Sequence, residues 1–304
     1  MDSSWFDIPV LGALPPEAAA KKLQELGERE LAEQIRAVPV EAEYRRVGGW
    51  RWPFKETKAW QHTSHAFGYI APLQPGQTGL REISDVAAIE ADPTLKRSRV
   101  KITLDALRIA EYPGTGTHHV LFDFYAQNQL RPAPEHLHFN ATHRVRSGEQ
   151  AAIRGYPIFL GLTTGEDGLA FRCYTVNVKN EGDQAILSFL ESDTFKAGLR
   201  LATVAQPAIA PLTDLARNIT KSIAERHNNV PVQDVYLGLD FGDTATGARL
   251  RLGSYIAVQV PDGAFAWNDW VLEMASRSIV RRDDFKAVLP YNYFIFAVSN
   301  YQGR

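Results

Sequence analysis

Val120-Leu121-Phe122-Asp123-Phe124-Tyr125-Ala126-Gln127 and Leu137-His138-Phe139-Asn140-Ala141-Thr142-His143-Arg144-Val145 flank the turn Arg131-Pro132-Ala133-Pro134. Successive side chains of a strand point to opposite faces. Val120, Phe122, Phe124 and Ala126 therefore share one face of a strand, and Leu137, Phe139, Ala141, His143 and Val145 share one face of the next. Two period-two runs joined by a Pro-rich turn predict a β-hairpin with an apolar side to bury.

The same period recurs on either side. Val100, Ile102 and Leu104 alternate, then Leu107 and Ile109 resume one step out of phase, which predicts a strand carrying a bulge. Ile158, Leu160 and Leu162 run into Gly165-Glu166-Asp167-Gly168, and Leu169 to Val178 follows, a pattern that predicts a second hairpin. Val235, Leu237, Leu239 and Phe241 alternate, and Leu250 to Val260 and Tyr291 to Val298 add further strands.

Helical spacing appears in three places. Residues 16 to 38 place Leu23, Leu26, Leu31, Ile35 and Val38 at mostly three- and four-residue steps, with Gly27 splitting the run into two short amphipathic helices. Residues 185 to 201 read as a helix interrupted near Ser192-Asp193. Thr213 or Asp214 reads as the cap of a further helix that stacks Leu215, Ile219 and Ile223 and closes at Asn228-Asn229. Residues 45 to 92 have poor periodicity and read as an irregular connection. Strands, then helices, then strands, without βαβ alternation, predict a β-rich α+β protein. Its expected core is an antiparallel β-sandwich over residues 94–304 with a helical insertion at about 184–228, behind a small helical and irregular region over residues 1–93.

Composition narrows the function classes. The chain has 304 residues, 45% of them apolar and 22% charged, the balance of a folded protein. Its 33 basic and 35 acidic residues leave a net charge of -2 with no block of one sign, so no footprint for nucleic acid or anionic lipid is present. The start, Met1-Asp2-Ser3-Ser4-Trp5-Phe6-Asp7, lacks the basic and apolar regions of a secretion signal. No run reaches the roughly 18 apolar residues of a spanning helix. These readings give the expectation of a soluble, cytoplasmic protein. The single cysteine, Cys173, excludes an intramolecular disulfide and reads as a core residue.

Three groups of residues are candidates for function. His136 and His138 are two apart on a strand and share a face, and hairpin parity sets Asp123, Tyr125 and Gln127 on that face of the neighbour. His136, His138 and Asp123 are the donor types of a zinc hydrolase or non-haem iron site, so a metal-dependent hydrolase or oxygenase with a divalent metal is one reading, while the favoured reading needs no cofactor. No His-Glu-x-x-His, Gly-x-Ser-x-Gly or Ser-x-x-Lys context accompanies them. Asp240-Phe241-Gly242 lacks the Gly-rich loop, strand lysine and His-Arg-Asp loop of a kinase.

The stretch from Asn177 to Asp183 after a strand resembles C2 domains, and the resemblance implies a calcium- or lipid-responsive module whose loop acids would be Asp183, Asp193, Asp240 and Asp243. Trp50, Trp52, Trp60, Trp267 and Trp270 lie in poorly periodic stretches, where no regular element automatically buries them. Tryptophan anchors partner surfaces because it supplies much contact area for little lost rotamer freedom. The favoured expectation is a non-catalytic binding or assembly protein that recognises a peptide or protein partner through these tryptophans.

Overall fold

The computed structural model describes residues 7–38, 52–74, 76–128, 135–192, 209–242, 247–263 and 265–302. Three β-sheets are stacked in it. The first has the order β11-β10-β9-β5-β6 and is built from β5 (Thr117–Asn128), β6 (Glu135–Arg146), β9 (Gly168–Val178), β10 (Asn229–Asp240) and β11 (Ala248–Arg249). The second runs β3-β1-β12-β15-β4-β7, with β8 also pairing β4. Its strands are β1 (Ser64–Ile70), β3 (Ser84–Asp85), β4 (Arg99–Ile109), β7 (Glu149–Gln150), β8 (Tyr156–Thr163), β12 (Gly253–Val260) and β15 (Tyr293–Asn300). The third comprises β14 (Ser278–Arg281), β13 (Trp270–Glu273) and β2 (Leu80–Glu82). Every pairing described is antiparallel except β10 with β11.

Period two explains the principal core. The hairpin β5–β6 forms in the register expected from its parity, with Phe124 opposite Phe139 and Phe122 opposite Ala141. Its apolar side packs on the seven-stranded sheet: Phe124 and Phe296 have ring centres 5.6 Å apart, and Phe122 and Phe294 5.5 Å. These rings are fully buried, and at about 25 cal/mol per Å² each such side chain stabilises the fold by roughly 1.5–3 kcal/mol before entropy is charged against it. The chain is thus a β-rich α+β protein with an antiparallel, sandwich-like core and a small helical region at its N-terminal side.

The opposite face of the seven-stranded sheet is also apolar. Ile70, Ile256, Val258 and Ile295 pack there with Trp267, Ile279 and Leu289, making a second core beneath the three-stranded sheet. Strands buried on both faces lose the apolar-polar alternation, so β12 and β15 read as nearly continuous apolar runs.

Helices complete the outside. α1 (Pro16–Glu25) and α2 (Arg29–Arg36) are separated by Gly27 at φ +84°, a left-handed conformation that glycine adopts without a Cβ clash. α3 (Gln184–Glu191) and α4 (Ile209–Glu225) pack against β6. Asn140 of β6 donates to the Thr220 hydroxyl at 2.6 Å and to the Ala216 carbonyl at 3.3 Å, tying α4 to the sheet.

Three expectations change, and a fourth lies partly outside the described residues. Strand β8 pairs β4 and strand β9 pairs β5 and β10, so Gly165–Gly168 is a corner between two sheets and not a second hairpin. A strand–turn–strand pattern reads the same in both cases. Residues 45–92 are not merely a connection: β1 lies among them and pairs β12 along its whole length. Helix α4 begins at Ile209 with Pro211 in its first turn, so Thr213 and Asp214 lie inside the helix and do not cap it. The helix expected over residues 185 to 201 is described to Glu191, and residues 193 to 208 lie outside the described residues.

Candidate functional site

The hairpin brings His136, His138 and Asp123 to one face of the five-stranded sheet. Tyr125 stands opposite His138, Gln127 opposite His136, and Asp123 opposite Asn140. Nδ1 of His138 is 3.0 Å from Oδ1 of Asp123, with side chains 1% and 0% exposed. His136 turns elsewhere, its Nδ1 2.5 Å from the Tyr125 hydroxyl. The result is an Asp–His pair sealed from solvent and a separate His–Tyr pair. Among the described residues no three His, Cys, Asp or Glu side chains are arranged to hold a metal ion.

Cys173 is buried on the apolar side of β9, and burial together with the nearby Asp123 and Asp234 carboxylates holds its thiol well above the ordinary range. A thiol kept protonated is an inert core group. Arg172 and Asp234 join β9 to β10 through two hydrogen bonds of 2.7 and 2.5 Å.

The loop acids are kept apart. Asp183 is buried at the end of β10 where Asn229 donates to it at 2.6 Å, and it is also paired with Arg226. Asp240 lies at the far end of the same strand, where it accepts from Arg249 and from the Gly242 amide. Two acids at opposite ends of a twelve-residue strand cannot share one calcium ion. Asp193 and Asp243 lie outside the described residues.

The tryptophans are largely internal. Trp60 is 1% exposed and meets Trp52 edge-on at 5.2 Å and Phe54 at 5.9 Å. Trp267 is buried in the second core with Phe265 4.9 Å away, and Trp270 is half-buried and stacked 6.5 Å from Phe265. Trp52 is half-buried and packs on the principal core. Buried indoles offer no area to a partner, so Trp60 and Trp267 are corrected from partner anchors to core residues. Trp50 lies outside the described residues.

A different concavity is open to solvent. Among the described residues β6 is the last strand of its sheet, and a groove of about 830 Å³ is lined by Thr142 and His143 of that strand, residues of the 150–156 segment, Glu191, and Ala275 to Arg277. Consecutive strand residues point to opposite faces, so Thr142 and His143 line one groove only because the groove runs along the strand edge. A second cavity of about 300 Å³ opens beside it, and Arg154 and Arg277 line both.

The smaller cavity joins charge to an apolar floor. Its floor includes Ile70, Leu272 and Ile295. Arg81 of β2 is 6% exposed, and its Nη2 donates to the Ala71 carbonyl at 2.6 Å and to the Pro72 carbonyl at 3.3 Å. Asp105 is there because of the predicted bulge: Leu104 pairs Phe296 and Ala106 pairs Ile295, leaving Asp105 as the extra residue. An extra residue re-aims its side chain out of the ladder. Asp105 accepts from the Thr103 hydroxyl at 3.0 Å, and burial pushes its carboxyl above the ordinary aspartate range against the opposing influence of Thr103, Arg277 and Lys101.

Of these residues the sequence flagged only the bulge that carries Asp105. Arg81, Arg154 and Arg277 stand far apart along the chain in stretches without periodicity, and the stacking of the third sheet on the second brings them together. No family model matches the chain, and no curated protein and no solved structure matches it.

Proposed function

We propose that the protein is a binding module that takes up an extended peptide along the outer edge of β6, the last strand of its sheet among the described residues. The observation that carries this reading is the groove itself, lined by Thr142 and His143 of the last described strand of the sheet. An edge strand presents unpaired N–H and C=O groups, and an incoming peptide satisfies them by adding a strand to the sheet. A volume of about 830 Å³ accommodates several residues of an extended chain. The sandwich serves as a rigid frame, with cores on both faces of the central sheet fixing the groove walls. The function is recognition, with affinity from main-chain hydrogen bonds and selectivity from side-chain pockets beside them.

The test is affinity selection of a random seven-residue peptide library on the intact protein. Thr142→Pro is the comparison, because proline removes an N–H and is tolerated at a sheet edge. Selected peptides are expected to bind the wild type and to lose about tenfold or more against a folded Thr142→Pro variant. No enrichment on the wild type, or enrichment indifferent to Thr142→Pro and to Arg154→Ala, would overturn the reading.

A further inference from the structure

Resting on the groove reading, we infer that the cavity beside it captures the C-terminal residue of the peptide, with Arg81 on the free carboxylate and an apolar side chain on the Ile70, Leu272 and Ile295 floor.

Arg81 is the principal reason. A guanidinium withdrawn from water is stabilised by a carboxylate partner, and a buried charge without one is costly. Arg81 is almost wholly buried, yet its hydrogen bonds go from Nη2 to two neutral carbonyls, and no carboxylate among the described residues lies in ion-pair range of it. Asp105 shares the cavity but is engaged by Thr103, and the cations that act on it are Arg277 and Lys101. The rest of the Arg81 fork is left for an anion, and a planar guanidinium matches a carboxylate in two parallel hydrogen bonds.

The other walls fit the remaining parts of a terminal residue. Arg154 and Arg277 stand where the cavity meets the groove, so both add positive charge at the point where a chain leaving β6 would end. Neither is in an ion pair among the described residues. Asp105 offers an acceptor to an amide N–H, which a peptide carries one atom away from the α-carbon that bears its carboxylate. A volume of about 300 Å³ is enough for one leucine-sized residue. An internal acidic side chain lacks the juxtaposition of carboxylate, amide N–H and apolar side chain on one α-carbon.

The experiment uses ¹⁵N-labelled full-length protein and two small probes, N-acetyl-leucine and N-acetyl-leucinamide, alongside the seven-residue library in free-acid and amidated forms. N-acetyl-leucine is expected to shift the amide signals of Arg81, Asp105 and Met274 to Arg277, and the amide probe to bind about tenfold or more weakly. Arg81→Met is expected to abolish the discrimination. Because Arg81 also holds two backbone carbonyls, Arg277→Gly is the second variant: Arg277 sits at φ +57°, where glycine is unstrained, so the charge is removed without cost to the turn. It is expected to weaken the free acid severalfold more than the amide, because only the free acid brings a carboxylate to the positive charge that Arg277 adds. Free-acid and amidated peptides enriching equally in the groove would overturn this inference while leaving the groove reading in place. No enrichment of either form would overturn both.

Discussion

The indole of Trp267 packs so closely on Gly68 that a Cβ at that glycine would stand 2.8 Å from Cζ2. Gly68 is in the middle of β1, where a glycine normally weakens a strand, and here its missing side chain is what admits the ring. Gly68→Ala is expected to destabilise the fold by about 1–3 kcal/mol through overpacking, and Trp267→Ala by about 3–5 kcal/mol through the cavity it leaves. Urea unfolding followed by far-ultraviolet circular dichroism measures both. A Trp267→Ala variant of unchanged stability would show that the ring is not part of a core.

The aromatic cluster at the N-terminal side makes a parallel case. Trp52, Phe54 and Trp60 meet one another within 6 Å and pack on the principal core. Trp60→Ala is expected to cost about 3–5 kcal/mol and Trp52→Ala less, since Trp52 is only half-buried. Neither change is expected to alter the affinity of a groove-bound peptide by more than about twofold, because the two sites share no residues. Loss of binding in a folded Trp52→Ala variant would return the tryptophans to the role of partner anchors.

Why the tryptophans misled is a matter of packing. The neighbourhoods of Trp60 and Trp267 have no period because each lies in a 3-10 turn, and burial comes from sheets formed by distant segments. The hairpin was legible because β5 and β6 each have one face in the principal core, so period two survives, as does the break in phase that marks Asp105. β1 was not legible: Ser64, His65 and Gly68 interrupt its apolar run, and its pairing with β12 spans most of the chain. The Asp123–His138 juxtaposition followed from parity alone, but its sealing did not: α4 packs on β6 and bonds to Asn140, and parity carries no information on what covers a face.

That sealed pair has a measurable weight. Asp123 accepts from or pairs with His138 through Oδ1, while Oδ2 is buried with no hydrogen-bond partner among the described residues. Asp123→Ala is expected to cost about 1–3 kcal/mol, and Asp123→Asn less because an acceptor for the imidazole remains. A double-mutant cycle with His138→Ala checks whether the two losses are coupled, and strict additivity would mean that the pair contributes nothing.

Acid is expected to weaken the fold through two buried histidines. Burial lowers the pKa of His65 to about 4, and burial with the nearby Lys179 lowers that of His118 to about 4, against 6.5 in the unfolded chain. Between those values the unfolded state binds more protons, so stability is full above pH 6.5 and falls as pH drops toward 4. Each histidine contributes a loss on the order of 1–2 kcal/mol by pH 5. Urea midpoints measured from pH 7 to 5 should fall in the wild type and fall less in His118→Asn. A flat profile would mean that these rings are not buried neutral.

Asp105 has the opposite sign. Its pKa is raised, so the ionised carboxylate carries a penalty in the folded state at neutral pH, one that disappears as pH falls through the raised value. Asp105→Asn keeps an acceptor for Thr103 and removes the charge. It is expected to raise the urea midpoint at pH 7, by up to about 1 kcal/mol of stability, while weakening a ligand whose N–H it receives. A variant that is both less stable and unchanged in binding would remove Asp105 from the cavity's function.

The most direct test is hydrogen exchange of the intact protein with and without a groove-selected peptide. Strand addition along β6 is expected to slow exchange at amides within Glu135–Arg146, with further protection at Met274 to Arg277 and none at Ala59 to Gln61. Unchanged exchange throughout β6 while the peptide is bound would mean that the edge is not the binding surface.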